Sequence, residues 1–553
     1  MSLAEAHARL TAPGALFETV SAMVRGQATV VWKHVPATAT EAFSRARSHG
    51  AREFLVYQNE RVSYDAFARA ALAVAALLAE RGLQKGDRVA LVMRNLPEWP
   101  VVFMGALLAG AIAVPLNAWW TGTELAYAIL DSGARFVFAD AERLARLADL
   151  PPAQLFVTRA ANAPAGVTVL EDVIGTPGHW ADLPEGVVPD VALSPEDDAT
   201  IFYTSGTTGA PKGALGTHRS LTTNIFAAPF SEARNALRRG DERKPAAKQR
   251  VTLLAVPFFH VIGSLSVLLP GMAAGGKLVL MRKFAPDEAL GLIEREGVTV
   301  TGGVPAVPLA LLEQAKGRDL SSLQLITFGG APSPPSLAGR IREDLGAMPG
   351  QGWGMTETSA TCTTHSAEDY LHRPGSCGPA LPVSGLKILK NGVEQPSGIA
   401  GELWAFGPNI VKGYWNRPEA TAAAFQGGWL KTGDLAMLDG EGFCTILDRG
   451  EDMLLRGGEN IYCIEVENVL IQHPAVADAA LIGLPHPILG EVPAALVQTR
   501  PGIEVSEGEL REFAAARLAA FKVPQQLRIS PDLLPRNEGG KLVKSALRRL
   551  FGA

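Results

Sequence analysis

Two long stretches of this chain, residues 53–160 and 251–347, alternate short apolar runs with Ala/Leu-rich helical runs, and few folds tolerate that rhythm. A strand that returns parallel to its neighbour needs a crossover, usually a helix, so the alternation predicts layered α/β sheets. Phe54-Leu55-Val56-Tyr57 reads as a strand, and Ser63-Tyr64-Asp65 opens a long helix ending near Gly82. Arg88-Val89-Ala90-Leu91-Val92-Met93 is a buried strand, with the next helix starting around Pro97. Ala113-Val114-Pro115-Leu116, Arg135-Phe136-Val137-Phe138-Ala139, Val298-Thr299-Val300-Thr301 and Leu325-Ile326-Thr327-Phe328 continue the pattern. No G-x-G-x-x-G follows the early strands, so a dinucleotide fold has no support.

The texture changes after about Pro382. Lys390-Asn391-Gly392-Val393 and Leu438-Asp439-Gly440-Glu441 are hairpin signals, pointing to a small β-rich subdomain. Asp448-Arg449-Gly450-Glu451-Asp452 is a charged, glycine-containing boundary. A helix near 464–472, strands near 479–482 and 494–498, and a helix near 507–519 follow it. The expected architecture is a large α/β N-terminal domain of layered sheets, residues 1–448, that includes the β-rich subdomain. A smaller, mobile α+β domain, residues 449–553, follows a hinge at 449–452.

With 553 residues, 47% of them hydrophobic and 19% charged, the chain fits a soluble multi-domain enzyme, and cytoplasmic placement is expected. A net charge of −5 does not favour nucleic acid as a partner. Cys362, Cys377, Cys444 and Cys463 show no C-x-x-C spacing and read as reduced, buried thiols. Residues 99–123 and 251–276 lack Asp, Glu, Lys and Arg, but glycines and prolines punctuate them. A helix followed by a buried strand is expected in each, and no transmembrane segment. Residues 232–250 carry seven basic and three acidic side chains and read as a solvated loop. The other reading is a basic surface for an anionic partner, a phosphate-bearing cofactor or a lipid headgroup, which leaves peripheral membrane contact open. Monomer and homodimer are both compatible with the sequence.

After the apolar run Ala199-Thr200-Ile201-Phe202 come Tyr203-Thr204-Ser205-Gly206-Thr207-Thr208-Gly209-Ala210-Pro211-Lys212-Gly213-Ala214. Glycines let backbone N–H groups close on an anion, hydroxyls donate to its oxygens, and lysine adds charge, so the run reads as a polyphosphate loop. It is not the ordinary P-loop, because Pro211 breaks G-x-x-x-x-G-K-[ST].

This run resembles the phosphate-binding signature of the adenylate-forming superfamily, in its acyl-CoA synthetase branch. Gly413-Tyr414-Trp415-Asn416-Arg417-Pro418-Glu419-Ala420-Thr421 and Trp429-Leu430-Lys431-Thr432-Gly433-Asp434 resemble further signatures of that family. So do Gly457-Gly458-Glu459-Asn460-Ile461-Tyr462 and Pro535-Arg536-Asn537-Glu538-Gly539-Gly540-Lys541. The resemblance implies that Thr204, Ser205, Gly206, Thr207, Thr208, Gly209 and Lys212 hold the ATP phosphates. Glu357 would ligate Mg²⁺, Thr356 would touch the α-phosphate, and Gly330, Ala331, Pro332 and Trp353 would enclose adenine. Gln351, Gly352, Gly354 and Met355 complete that nucleotide segment. The family usually has Tyr or Phe where Trp353 stands. By the same resemblance Asp434 accepts the ribose hydroxyls, Arg449 reaches ribose and phosphates, and Lys541 bridges carboxylate and α-phosphate. Gly457 and Gly458 flank the path of CoA. Where the family carries Asp or Lys at the hinge, this chain has Glu451.

Pro257-Phe258-Phe259-His260-Val261-Ile262-Gly263 resembles the segment lining the acid pocket. Amino-acid-activating relatives place Asp where His260 stands, so an amino acid substrate is disfavoured. His260 is equally readable as a satisfied core histidine. Gly302, Gly303, Val304, Gly329 and Ser359 would form other walls, small and uncharged, suited to an extended apolar or aryl acid. The function implied is a carboxylic acid–CoA ligase using ATP, Mg²⁺ and CoA, with a medium- to long-chain fatty acid expected first. An aryl or arylpropenoic acid, or delivery of acyl-AMP to a carrier-protein thiol, are the alternatives. A luciferase-like oxidase lacks a distinct oxidative site, and a non-catalytic scaffold would have lost Glu357 or Lys541.

Overall fold

Ser63 accepts a hydrogen bond from the Ala66 amide and starts the helix Tyr64–Glu80, as its sequence predicts. The computed structural model describes residues 1–147, 153–204, 211–240, 249–330, 333–450, 452–456, 459–487, 489–536 and 542–552. The expectations placed on Ser205 through Gly209, Ala331, Pro332, Glu451, Gly457, Gly458 and Lys541 lie outside those residues.

Tyr64–Glu80 packs beside the helix Glu98–Leu108, and both join side chains from two eight-stranded sheets in one core. Every residue of Glu98–Leu108 is buried. A helix apolar all round belongs in a middle layer, which explains the charge-free run at 99–123 without a bilayer. The two helices meet closely: a Cβ added at Gly105 would lie 2.7 Å from Cγ1 of Val74. No described helix is long and apolar enough to cross a membrane.

In the first sheet the strand order is Gly413–Tyr414, Lys212–Thr217, Asp198–Thr204, Ile112–Pro115, Arg88–Val92, Phe136–Asp140, Gln154–Thr158 and Thr168–Val169. In the second it is Thr363–Ser366, Met348–Trp353, Leu325–Gly329, Val300–Gly303, Val251–Leu254, Lys277–Leu280, Glu53–Tyr57 and Glu60–Ser63. Glu53–Tyr57 therefore pairs with Glu60–Ser63 and with Lys277–Leu280, more than two hundred residues on, rather than with Arg88–Val92, the next strand of the sequence reading. The α/β rhythm of 53–160 is real, yet it is divided between two sheets.

Two expectations are corrected. In 251–276 the strand Val251–Leu254 comes first, followed by the π-helical segment Ile262–Leu268 and the helix Leu269–Ala273. In the basic stretch, residues up to Arg239 belong to the helix Ala227–Arg239, not to a loop. Arg234 is fully buried there, and Arg238, Arg239 and Arg250 pair with Asp369, Glu368 and Glu232. Those guanidiniums are committed within the chain, which removes them from a basic docking surface; residues 241–248 lie outside the described residues.

The β-rich subdomain forms a third sheet of seven strands. Its Asn391-Gly392 turn has positive φ at both residues, the combination a two-residue hairpin needs. In the second hairpin the left-handed residue is Gly442 rather than Gly440, and Oδ1 of Asp439 accepts from the amides of Glu441 and Phe443. A fourth sheet, of five strands, carries a separate core that includes Ile461, Val466, Leu481, Val497 and Leu527. The hairpin Thr19–Val24 with Gln27–Trp32, turning at Arg25-Gly26, had no counterpart in the sequence reading. All four cysteines are free and buried, as expected.

Candidate active site

The phosphate run grows from a hairpin in the first sheet. Asp198–Thr204 pairs antiparallel with Lys212–Thr217, and Thr204 stands opposite Lys212. Both ends of the loop are thus pinned by the sheet. The neighbouring strand Gly413–Tyr414 brings Tyr414 beside them. Nζ of Lys212 lies 5.3 Å from the centre of the Tyr414 ring, and the phenol donates to Oε1 of Glu357 at 2.7 Å. Burial and the Glu357 carboxylate push the Tyr414 hydroxyl far above its usual range, so it stays a donor. Tyr414 lay inside a quoted motif but carried no role there; it is the side chain that joins the lysine to the carboxylate.

Glu357 is buried in the 3₁₀ turn Thr356–Thr358, directly after the strand Met348–Trp353. The chain then folds back sharply. Ser359 has φ 47° and Ala360 φ 88°, and a Cβ at Gly354 would sit 1.4 Å from the Ala360 carbonyl oxygen. Asn224 holds this bend, donating to the Ser359 carbonyl and accepting from the Thr361 amide. Left-handed non-glycine backbone of this kind persists only where the surroundings enforce it.

Asp434, on the strand Trp429–Leu438, is buried, and its Oδ1 lies 2.8 Å from Nε of Arg449 on the paired strand Phe443–Arg449. Its Oδ2 accepts from the Trp353 indole N–H at 2.7 Å. Two sets of contacts result, Lys212–Tyr414–Glu357 and Trp353–Asp434–Arg449, drawn from three sheets and joined along the chain by the residues between Trp353 and Glu357. Gln351 accepts from Ser333, and Gly330 is exposed with φ 75° at the end of Leu325–Gly329.

The residues expected to line the acid pocket divide. Ile262 is half-buried, and its Cδ1 would lie 3.4 Å from a Cβ at Gly330. The half-buried His260 ring sits among Trp119 and Phe259. Val261, by contrast, is part of the core, and a Cβ at Gly303 would meet Val256 at 2.9 Å and Val307 at 3.1 Å. Val304 packs against the core on that same side, and Ser359 is buried. A residue that the sequence did not single out, Thr327, is exposed in the middle of the second sheet. Register puts Gly302, Thr327 and Gly350 on one face, with Ile326 and Phe328 in the core on the other. The π-helical segment covers the Leu254 part of that face and leaves Thr327 open, while Oγ of its Ser266 lies 3.0 Å from Oγ1 of Thr361. The only sign in the sequence was a hydroxyl amid the apolar Leu325-Ile326-Thr327-Phe328.

At the expected hinge, Asp448 is buried and accepts from the Cys463 amide, the first residue of the helix Cys463–Ile471. The Tyr462 side chain does not cap that helix, so Asp448 does so from the preceding sheet. Burial raises the Asp448 carboxyl to about 6 and the Glu467 carboxyl to about 7, against the pull of Lys544, with Asp452 adding negative charge. Groups whose folded pKa lies above their unfolded value bind more protons when folded, so stability falls as pH rises from about 4 to about 7. Denaturant unfolding between pH 5 and 7.5 should show this slope, and Glu467→Gln should flatten it; an unchanged slope would rule Glu467 out as its source.

Residues 42–415 match the model of the AMP-binding enzyme family, and residues 465–541 that of the AMP-binding enzyme C-terminal domain. The chain is 35% identical over 494 residues to a feruloyl-CoA synthase of Amycolatopsis sp, covering 89% of this chain and 94% of that protein. It is 36% identical over 482 residues to the long-chain-fatty-acid–CoA ligase FadD13 of Mycobacterium tuberculosis, covering 86% and 90%. Among solved structures, o-succinylbenzoate CoA synthetase (MenE) from Bacillus subtilis superposes with a TM-score of 0.76 at 32% identity, covering 92% of this chain and 98% of that one. MenE has been solved with its acyl-adenylate OSB-AMP and with ATP and a magnesium ion. With both family models matched in order and relatives at 35–36% identity over most of both chains, this chain belongs to the AMP-binding enzyme family, within its acid–thiol ligase branch.

Proposed function

We propose that this chain is an ATP-dependent carboxylic acid–CoA ligase whose acid carries a medium- to long-chain acyl group. The observation that carries the choice of acid is the uncovered sheet face at Thr327. Parallel sheets normally bury both faces under helices. Here the face beyond the π-helical segment stays open between Ile262, Gly302 and Gly330, and these side chains are apolar or absent. An elongated apolar tail would replace the missing packing. An aryl acid is the second reading, favoured by relatives named for feruloyl-CoA and o-succinylbenzoate.

The chemistry divides among the residues gathered above. The acid's carboxylate attacks the α-phosphate and pyrophosphate leaves, so two anions must be screened and aligned. Lys212 and Thr204 hold the loop that takes the phosphates, and Asp434 accepts the ribose hydroxyls. Glu357 suits a hard cation: it is a single carboxylate held by Tyr414, and Mg²⁺ bound mainly through phosphates needs few protein ligands. When bound, Mg²⁺ neutralises charge building on the phosphate oxygens. Residues 449–553 form the mobile unit that turns about 449–452 to admit CoA.

Pyrophosphate release across a panel of straight-chain and aryl acids, with and without CoA, tests the reading. Thr327→Phe should fill the open face, cutting kcat/KM for long acids by about 10-fold or more while sparing acetate and propionate. Equal loss at every chain length would put the pocket elsewhere. A tryptophan at Gly303 would not serve, because that position faces the core.

A further inference from the structure

The Asp434 carboxylate is gripped from two sides by donors of different character. Arg449 is 42% exposed at the start of the hinge, so its hold changes with any turn of the residues that follow. Trp353 is 9% exposed, and its ring packs in a core with Ile388, Leu403 and Ala436. Its backbone amide donates to Thr363 Oγ1, which in turn donates to the Cys377 carbonyl. The indole N–H is thus a donor anchored in the core, and an indole nitrogen can only donate.

We propose that Trp353 is a positioning residue that fixes Asp434 for a vicinal diol and so sets the preference for ribonucleotide over deoxyribonucleotide. The proposal rests on the reading of Asp434 as the ribose acceptor. A carboxylate with one oxygen pinned cannot turn about its Cβ–Cγ bond, and its remaining lone pairs keep a constant direction. With the pin removed, the Asp434 carboxylate loses its core-anchored donor and must be reoriented each time ATP binds. The ribose lies away from the bonds that form and break, so the penalty falls on nucleotide binding rather than on the chemical step.

Trp353→Phe keeps a ring in the core and deletes the N–H. In acid-dependent pyrophosphate exchange the variant should raise KM for ATP about 10-fold, the scale of one charge-assisted hydrogen bond, with kcat within about 3-fold. The ratio of kcat/KM for ATP over 2′-deoxyATP should fall by at least about 3-fold, and this ratio is independent of the fraction of protein that folds. Asp434→Asn is measured alongside. If Asp434→Asn lowers the ratio and Trp353→Phe does not, the role of Trp353 is overturned. If neither variant changes it, the ribose reading of Asp434 is what fails, and the proposal fails with it.

Discussion

Lys541→Ala is expected to lower acyl-AMP formation by about 10²-fold or more, the scale for losing one charge-stabilising donor at a developing anion. The same protein should still convert supplied acyl-AMP and CoA into thioester. Adenylation needs a cation between carboxylate and α-phosphate, whereas thioester formation needs a path for the pantetheine arm to the same carbonyl. One fixed arrangement can hardly serve both. The flanks of the Lys541 segment are tied to the C-terminal sheet, since Arg536 bridges Leu542 and pairs with Asp478. The described residues on either side of Lys541 would therefore move with any turn of that sheet. Gly458→Leu should show the opposite defect, forming acyl-AMP normally and stalling before CoA transfer, because a side chain would obstruct a narrow passage. Each half-reaction is measured separately in both variants. Equal loss of the two steps in both would exclude alternation between two arrangements.

Glu357→Gln is expected to cut ATP-dependent turnover by about 10²-fold or more with the fold retained, because the charged ligand offered to Mg²⁺ is lost. Tyr414→Phe tests the same cluster more gently. It keeps the ring that faces Lys212 and deletes the hydrogen bond to Glu357, so the carboxylate is free to turn. About 10-fold loss is expected there, with half-saturation moved to higher Mg²⁺. Pyrophosphate release titrated with Mg²⁺ reads both variants. Near-normal turnover of Glu357→Gln at limiting Mg²⁺ would remove Glu357 from the metal, and an unmoved Mg²⁺ curve for Tyr414→Phe would make that hydrogen bond incidental.

Features set by neighbours in sequence were legible without a structure. The helix beginning at Ser63, the left-handed turn at Asn391-Gly392 and the strand at Leu325 follow from capping, backbone preference and apolar periodicity within a few residues. The family was legible too, because its signature runs keep particular residue types at close spacing, and both family models match. Partners were not. The apolar run marks Glu53–Tyr57 as a strand buried on both faces, but one of its partners, Lys277–Leu280, is chosen by a contact spanning more than two hundred residues. The same holds for Arg234, whose charge suggested a solvated loop until the second sheet's edge offered it the Thr364 carbonyl. Thr327 is exposed on a sheet face whose Leu254 shares a core with Leu265 and Leu268 of the π-helical segment, a covering that its own strand could not reveal. Trp353 could be read as an adenine-facing ring, yet its N–H points to a carboxylate eighty-one residues away. Local sequence determines the direction of each side chain relative to its own strand or helix; what it then meets is decided by which distant elements close over it.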